Sequence, residues 1–241
     1  MKKKRLDILM LERGLARSRQ HAAALIMEGR VYVGGAKIEK AGAQVYADAD
    51  LQVTGDRPYV SRGGVKLAGA LDYFGIDPNS LVVLDAGAST GGFTDCLLHR
   101  GARKVVCVDV GHGQIDWKLR NDPRVFLMEH TNIRYMKREH LALELDAAVA
   151  DLSFISLKIV FPVIRELLRP GCWFLPLVKP QFEVGKGHVG KGGVVRNMED
   201  LTRSLEAVKE AADNAGFSVK GQVESCIRGP KGNREFFLYL V

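Results

Sequence analysis

At 241 residues the chain is long enough for one full α/β domain plus a small accessory module. Hydrophobic residues at 46% and charged residues at 26% match ordinary globular usage, which excludes a disordered, collagen-like or coiled-coil protein. Lys and Arg number 35 against 28 Asp and Glu, a net charge of +7 that points to a polyanionic partner, and four cysteines without a C-x-x-C pair exclude a zinc ribbon or disulfide scaffold.

The basic start Met1-Lys2-Lys3-Lys4-Arg5 is followed by Asp7, Glu12 and Arg13, which interrupt the apolar stretch a signal peptide needs. No span reaches the roughly 20 apolar residues of a membrane helix, so a cytoplasmic protein is expected. Charge is uneven: residues 1–62 hold 12 Lys/Arg and 7 Asp/Glu, so about a quarter of the chain carries most of the excess. Arg5-Leu6-Asp7 reads as a helix start. Ser18 is a plausible N-cap for a helix over Arg19–Glu28 that Gly29 ends. Val31-Tyr32-Val33, the Gly34-Gly35 turn and Lys37-Ile38 predict a hairpin, and Leu51-Gln52-Val53 another strand. Thr54-Gly55-Asp56-Arg57-Pro58 reads as the approach to a linker. We therefore expect a small basic α+β domain over residues 1–56, whose Arg5, Arg17, Arg19 and Arg30 are candidate contacts for the phosphates of a polyanionic partner, a merely solvated basic face being the alternative, and a linker over 57–60.

From residue 61 the pattern alternates between helices and short apolar runs. A helix over Gly64–Phe74 presents Leu67, Leu71 and Phe74 to a core. Runs at Leu81–Leu84, Val105–Val110, Val125–Met128, Ala147–Ala150 and Trp173–Val178 predict a Rossmann-like, doubly wound, mostly parallel sheet. Phe217–Ile227 and Glu235–Val241, around Gly229-Pro230-Lys231-Gly232-Asn233, predict an antiparallel C-terminal edge hairpin.

Within this second domain, Leu84-Asp85-Ala86-Gly87-Ala88-Ser89-Thr90-Gly91-Gly92-Phe93 leaves the first strand and enters a helix, a turn at which a ligand can approach the backbone. Asp109 ends the next strand, where an acid can hold a ribose diol. A dinucleotide site uses the same device, but the spacing is G-x-x-x-G-G rather than G-x-G-x-x-G. Asp85 would repel a pyrophosphate and suits cationic S-adenosylmethionine; a purely structural turn is the remaining alternative. Gly185-Lys186-Gly187-His188-Val189-Gly190-Lys191-Gly192 satisfies G-x-x-x-x-G-K but offers Gly192 where a P-loop needs Ser or Thr, so it reads as a mobile glycine-rich loop. Asp151 and Lys179 end the fourth and fifth strands, where open α/β sheets bind ligands; Lys66 lies on the first helix of this domain and Glu235 begins the last strand.

Lys66, Asp151, Lys179 and Glu235, together with Asp85-Ala-Gly-Ala-Ser-Thr-Gly-Gly-Phe-Thr94, resemble the Lys-Asp-Lys-Glu tetrad and donor motif of FtsJ-like RNA ribose 2′-O-methyltransferases. Ser61-Arg62-Gly63-Gly64, Asp151-Leu-Ser-Phe-Ile-Ser156 and Lys179-Pro-Gln-Phe-Glu-Val-Gly185 narrow the resemblance to the TlyA family, often called hemolysin-like. The likeness covers nearly the whole chain. It implies an N-terminal module like that of ribosomal small-subunit protein four, S-adenosyl-L-methionine as cofactor, rRNA or ribosomal subunits as partner, no metal, and a cytidine ribose as acceptor. It further implies a donor site at Asp85, Gly87, Ser89, Thr90, Gly91, Gly92, Phe93, Asp109 and Asn132. His130 departs from the arginine expected before Thr131-Asn132. Lysine is normally protonated, so Lys179 as the base would need burial and the nearby cation Lys66, with Asp151 and Glu235 as orienters. The competing readings are a non-catalytic ribosome-assembly factor and a membrane-active hemolysin.

Overall fold

The computed structural model describes residues 3–54, 58–185, 187–190, 192–229 and 231–241. The chain divides into two compact units, Met1–Arg57 and Pro58–Val241. Gly55, Asp56 and Arg57 of the expected linker, Lys186 and Lys191 of the glycine-rich loop, and Pro230 of the hairpin turn lie outside the described residues.

In the first unit β1 (Lys3–Arg5) leads directly into α1 (Leu6–Glu12), followed by α2 (Arg19–Met27), β2 (Val31–Val33), β3 (Ala36–Ile38), β4 (Gln44–Tyr46) and β5 (Leu51–Val53). Ser18 caps α2 by accepting from the His21 amide, which satisfies one of the donors a helix start leaves open. The expected hairpin β2–β3 forms, and β5 pairs on the other side of β2. Pairing of β1 with β4 was not legible, since strands of three residues carry too little alternation to be read. Leu6, Met10, Ala22, Ile26 and Val31 make a small core of their own.

The second unit opens with Tyr59 and Val60, which were expected in the linker. They belong to the core instead: the Val60 amide donates to Asp95 Oδ2 at 2.7 Å, and Tyr59 packs against the apolar cluster beside it. Then follow α3 (Arg62–Phe74), β6 (Val82–Ala86), α4 (Gly92–His99), β7 (Lys104–Val108), α5 (Trp117–Arg120), β8 (Val125–Met128), β9 (Leu145–Ala150), α6 (Leu157–Leu167), β10 (Leu168–Val178), α7 (Met198–Asn214), β11 (Val219–Glu224) and β12 (Phe236–Leu240). The seven-stranded sheet has the order β11-β12-β10-β9-β6-β7-β8. Alternate residues of each strand bury on opposite faces. Leu84, Val106, Ala148 and Phe174 pack with Phe161, Ile164 and Val208 of α6 and α7, whereas Val83, Val105, Val149 and Phe237 pack with Leu67 and Leu71 of α3 and Leu97 of α4.

Within this sheet, among the described residues, the strand pairings of β12 alone run antiparallel: Val178 lies opposite Phe236 on one side and Glu224 opposite Phe236 on the other. Because β12 is reversed, its first end lies at the carboxyl end of the parallel strands. Glu235 is thereby delivered beside Lys179, which follows β10.

Candidate active site

Register places the tetrad. Ala86 and Ala150 are partners across β6 and β9, and Pro176 is the partner of Ala150 across β10. Gly87, Asp151 and Lys179 therefore leave three neighbouring strands at one edge. Lys179 Nζ lies 2.6 Å from Asp151 Oδ1 and donates to Ser153 Oγ at 3.0 Å. Lys66, on α3 and only 6% exposed, donates to Glu235 Oε2 at 2.5 Å; Glu235 is 1% exposed. Each lysine thus has its own carboxylate. A buried charge without a partner is expensive, and these pairings remove that cost.

Two adjoining cavities open here. The larger, about 430 Å³, is lined by Gly87, Ser89, Asp109, Asn132, Asp151 and Ser153 among others. The smaller, about 180 Å³, is lined by Ser61, Gly63, Ser89, Thr90, Gly92, Phe93 and Lys179. Gly87, Ser89, Asp151 and Ser153 border both. Asp109 accepts from the Ser89 amide at 2.8 Å and the Gly111 amide at 2.7 Å, one bond to each oxygen, so each oxygen keeps a free lone pair. Asn132 accepts from the Arg134 amide, which starts a short turn at the cavity wall. The charged side chains of the larger cavity are Asp109, Asp151 and Arg134, with Asp151 paired to Lys179, so among the described residues no cluster of cations is present there to bind a pyrophosphate. Gly87 sits at φ +86°, and a Cβ there would meet the Asp151 carbonyl at 2.7 Å, so glycine keeps the floor of both cavities open.

Two residues of the expected donor set are placed elsewhere. Asp85 is fully buried and borders neither cavity; Thr94 Oγ1 donates to its Oδ2 at 2.6 Å, and Oδ1 has no hydrogen-bond partner. Burial pushes its carboxyl up to about 7, opposed by the Thr94 bond and reinforced by Asp151 and Asp109. Gly91 caps α4 at φ +91°, and a Cβ there would collide with Leu119 and crowd Ile115. A glycine here lets α5 pack against the turn. Lys66 also lines neither cavity; its ammonium donates to Glu235. Ser153, which touches Lys179 and both cavities, was not singled out in the sequence; its signal was its place two residues after Asp151.

Among the arginines expected to meet RNA, Arg5 and Arg19 both bind Asp7, which is 3% exposed. Those guanidiniums hold its carboxyl well below the usual carboxylate range. Arg30 Nε donates to the Thr54 carbonyl, and Arg17 is exposed.

The chain matches the model of the FtsJ-like methyltransferase family over residues 59–241 and that of the S4 domain over residues 4–49. It is 49% identical to the 16S/23S rRNA (cytidine-2′-O)-methyltransferase TlyA of Mycobacterium tuberculosis over 98% of this chain and 89% of that protein. A solved structure from Streptococcus thermophilus, described as a hemolysin, is 40% identical with a TM-score of 0.79, covering 100% of this chain and 88% of that one. Aeropyrum pernix fibrillarin with bound S-adenosyl-L-methionine shares the fold at a TM-score of 0.54 and 18% identity, over 88% of this chain and 94% of that one. The chain belongs to the FtsJ-like methyltransferase family and, within it, to the TlyA group. Among the described residues no helix is long and apolar enough to cross a membrane.

Proposed function

We propose that this protein transfers the methyl group of S-adenosyl-L-methionine to a ribose 2′-hydroxyl of rRNA, that of a cytidine. The observation that carries the reading is the position of Lys179, whose amine is fixed by Asp151 and Ser153 where the two cavities join. A donor in the larger cavity and a hydroxyl brought to the junction would meet in line, and such positioning is worth about 7–11 kcal/mol.

Bound there, S-adenosyl-L-methionine supplies an electrophilic sulfonium methyl. Asp109 has the free lone pairs to hold a ribose diol, Asn132 and Ser89 lie along the same wall, and Thr90, Gly92 and Phe93 border the smaller cavity. Gly87 keeps the floor open, Gly91 holds the turn in shape, and Asp85 anchors the turn from beneath through Thr94. Lys179, at the junction, would accept the proton of the ribose hydroxyl. General base catalysis of this kind contributes typically 10²–10⁴-fold. Asp151 aims the Lys179 amine, and the Lys66–Glu235 pair fixes the far side of the site.

Residues 1–56 act as the RNA-binding module and 61–241 as the methyltransferase, with Arg5, Arg17, Arg19 and Arg30 at phosphates. Asp7 leaves room for this, because the side chains of Arg5 and Arg19 remain 41% and 56% exposed while paired to it. Transfer of a tritiated methyl group to each rRNA from a strain lacking this protein, followed by nucleoside mapping, tests the whole reading. Label in 2′-O-methylcytidine is expected. Label on a base, or none on any rRNA, would reject it.

A further inference from the structure

Two glycine-containing loops at the rim of the tetrad carry no part of the chemistry above. Residues 185–196 contain Lys186, Lys191 and Arg196, residues 226–234 contain Arg228, Lys231 and Arg234, and neither stretch contains an Asp or Glu. Such a concentration is out of proportion to a catalytic unit whose charges otherwise nearly cancel.

Among the described residues the loops are joined by a buried clamp. Asn233, 4% exposed, accepts from the Val195 amide at 3.0 Å and donates to the Gly193 carbonyl at 2.8 Å. Lys231 lies along Gly193, where its Nζ is 3.4 Å from the position a Cβ would take. On the inner side the second loop rests on the tetrad: a Cβ at Gly229 would collide with the Glu235 carboxylate. From α3, one turn before Lys66, Arg62 donates to the Arg228 carbonyl at 2.7 Å. Arg62, Arg196, Arg228 and Lys231 are exposed, and none has an ion pair with a carboxylate among the described residues. Arg234 differs, being held by Glu224. Three exposed cations on the clamped loops, with Arg62 of α3 next to them, stand beside a site that takes a ribose and suit a polyanion rather than a single small ligand.

We propose that the loops 185–196 and 226–234, held together by Asn233, form a phosphodiester-binding platform that grips the RNA strand flanking the acceptor nucleotide. It acts in the catalytic unit itself, separately from the N-terminal module. This inference rests on the reading of the protein as an rRNA methyltransferase. It also gives the P-loop-like run a purpose: glycines let a strand of phosphates approach the backbone, while hydrolysis of a nucleotide is not required.

The test uses the full-length protein and unmodified rRNA made by transcription, with affinity measured across a salt series. The double substitution Arg228→Gln/Lys231→Gln should make the slope of log K against log salt shallower by roughly 0.7–0.9 for each phosphate no longer neutralised. Donor affinity, read by calorimetry, should stay within twofold. The control removes the same charge at the opposite end of the sheet, Arg103→Gln/Arg138→Gln, and should leave the slope as in wild type. Asn233→Asp, which keeps the acceptor and loses the donor, should move the slope toward that of the double variant. A wild-type slope in the double variant overturns the platform, as does an equal change in the control. If the wild-type protein neither binds nor methylates rRNA, the functional reading itself fails, a result distinct from an unchanged slope.

Discussion

The two ends of the large sheet use charge in opposite ways. At the amino ends of β7, β9 and β10, Arg138 and Arg169 bind Glu144, and Arg169 and Arg103 approach Asp146. Those arginine side chains are between 46% and 64% exposed. At the carboxyl end the cations of the tetrad itself are Lys66 and Lys179, with side chains 8% and 12% exposed, each on a single carboxylate. Arginine holds its proton at any ordinary pH, whereas a lysine can give one up and take one. The end built from arginine does electrostatic upkeep in water, and the end built from lysine is equipped to move a proton.

The strongest way to break this contrast is to put arginine where lysine is. Lys179→Arg and Lys179→Ala should both lose transfer by about 10³-fold or more, on the order of what a general base provides, with donor affinity within a few-fold by calorimetry. Turnover near wild type in the arginine variant would remove Lys179 from the base role. Next in size is the buried pair. Glu235→Gln leaves the Lys66 ammonium without its carboxylate and should destabilise the fold by roughly 3–5 kcal/mol in urea melts. The double variant Lys66→Met/Glu235→Leu should regain most of that stability and none of the activity.

A smaller effect comes from Asp85. Its folded value lies above its ordinary 3.8, at about 7. Between those values the folded chain keeps a proton that the unfolded chain has released, so stability falls as pH rises through that window and is flat above it. Asp85→Asn should melt higher than wild type at pH 8, with the gap closing toward pH 5. A gap independent of pH would mean that Asp85 does not titrate there. The smallest effect is expected from Arg138→Ala at the arginine end, within about 1 kcal/mol and with no change in transfer, as is usual for exposed ion pairs.

The same contrast explains what could be read in the sequence. Runs such as Ala147–Ala150 and Trp173–Val178 are strands buried along all or nearly all of their length, and the residues just past them, Asp151 and Lys179, inherit their position from strand direction. Glu235 was legible as the start of an antiparallel strand in the C-terminal hairpin, but not that this strand lies inside the sheet between β10 and β11, which sets Glu235 against Lys66. Asp85 and Gly91 show the limit of motif reasoning. A motif gives identity and spacing, but whether a side chain faces a ligand or a helix depends on what packs behind it. Here Thr94 stands behind Asp85, and Leu119 behind Gly91.

The reversed strand has a consequence for how the molecule comes together in time. The walls of the larger cavity are drawn from residues 87–155, a span whose strands β6, β7 and β9 are near neighbours along the chain. The bond between Lys66 and Glu235 spans 169 residues, and closing so long a loop costs entropy that shorter loops do not. The donor pocket is therefore expected to gain protection from hydrogen exchange during refolding before β12 takes its place between β10 and β11 and sets Glu235 against Lys66.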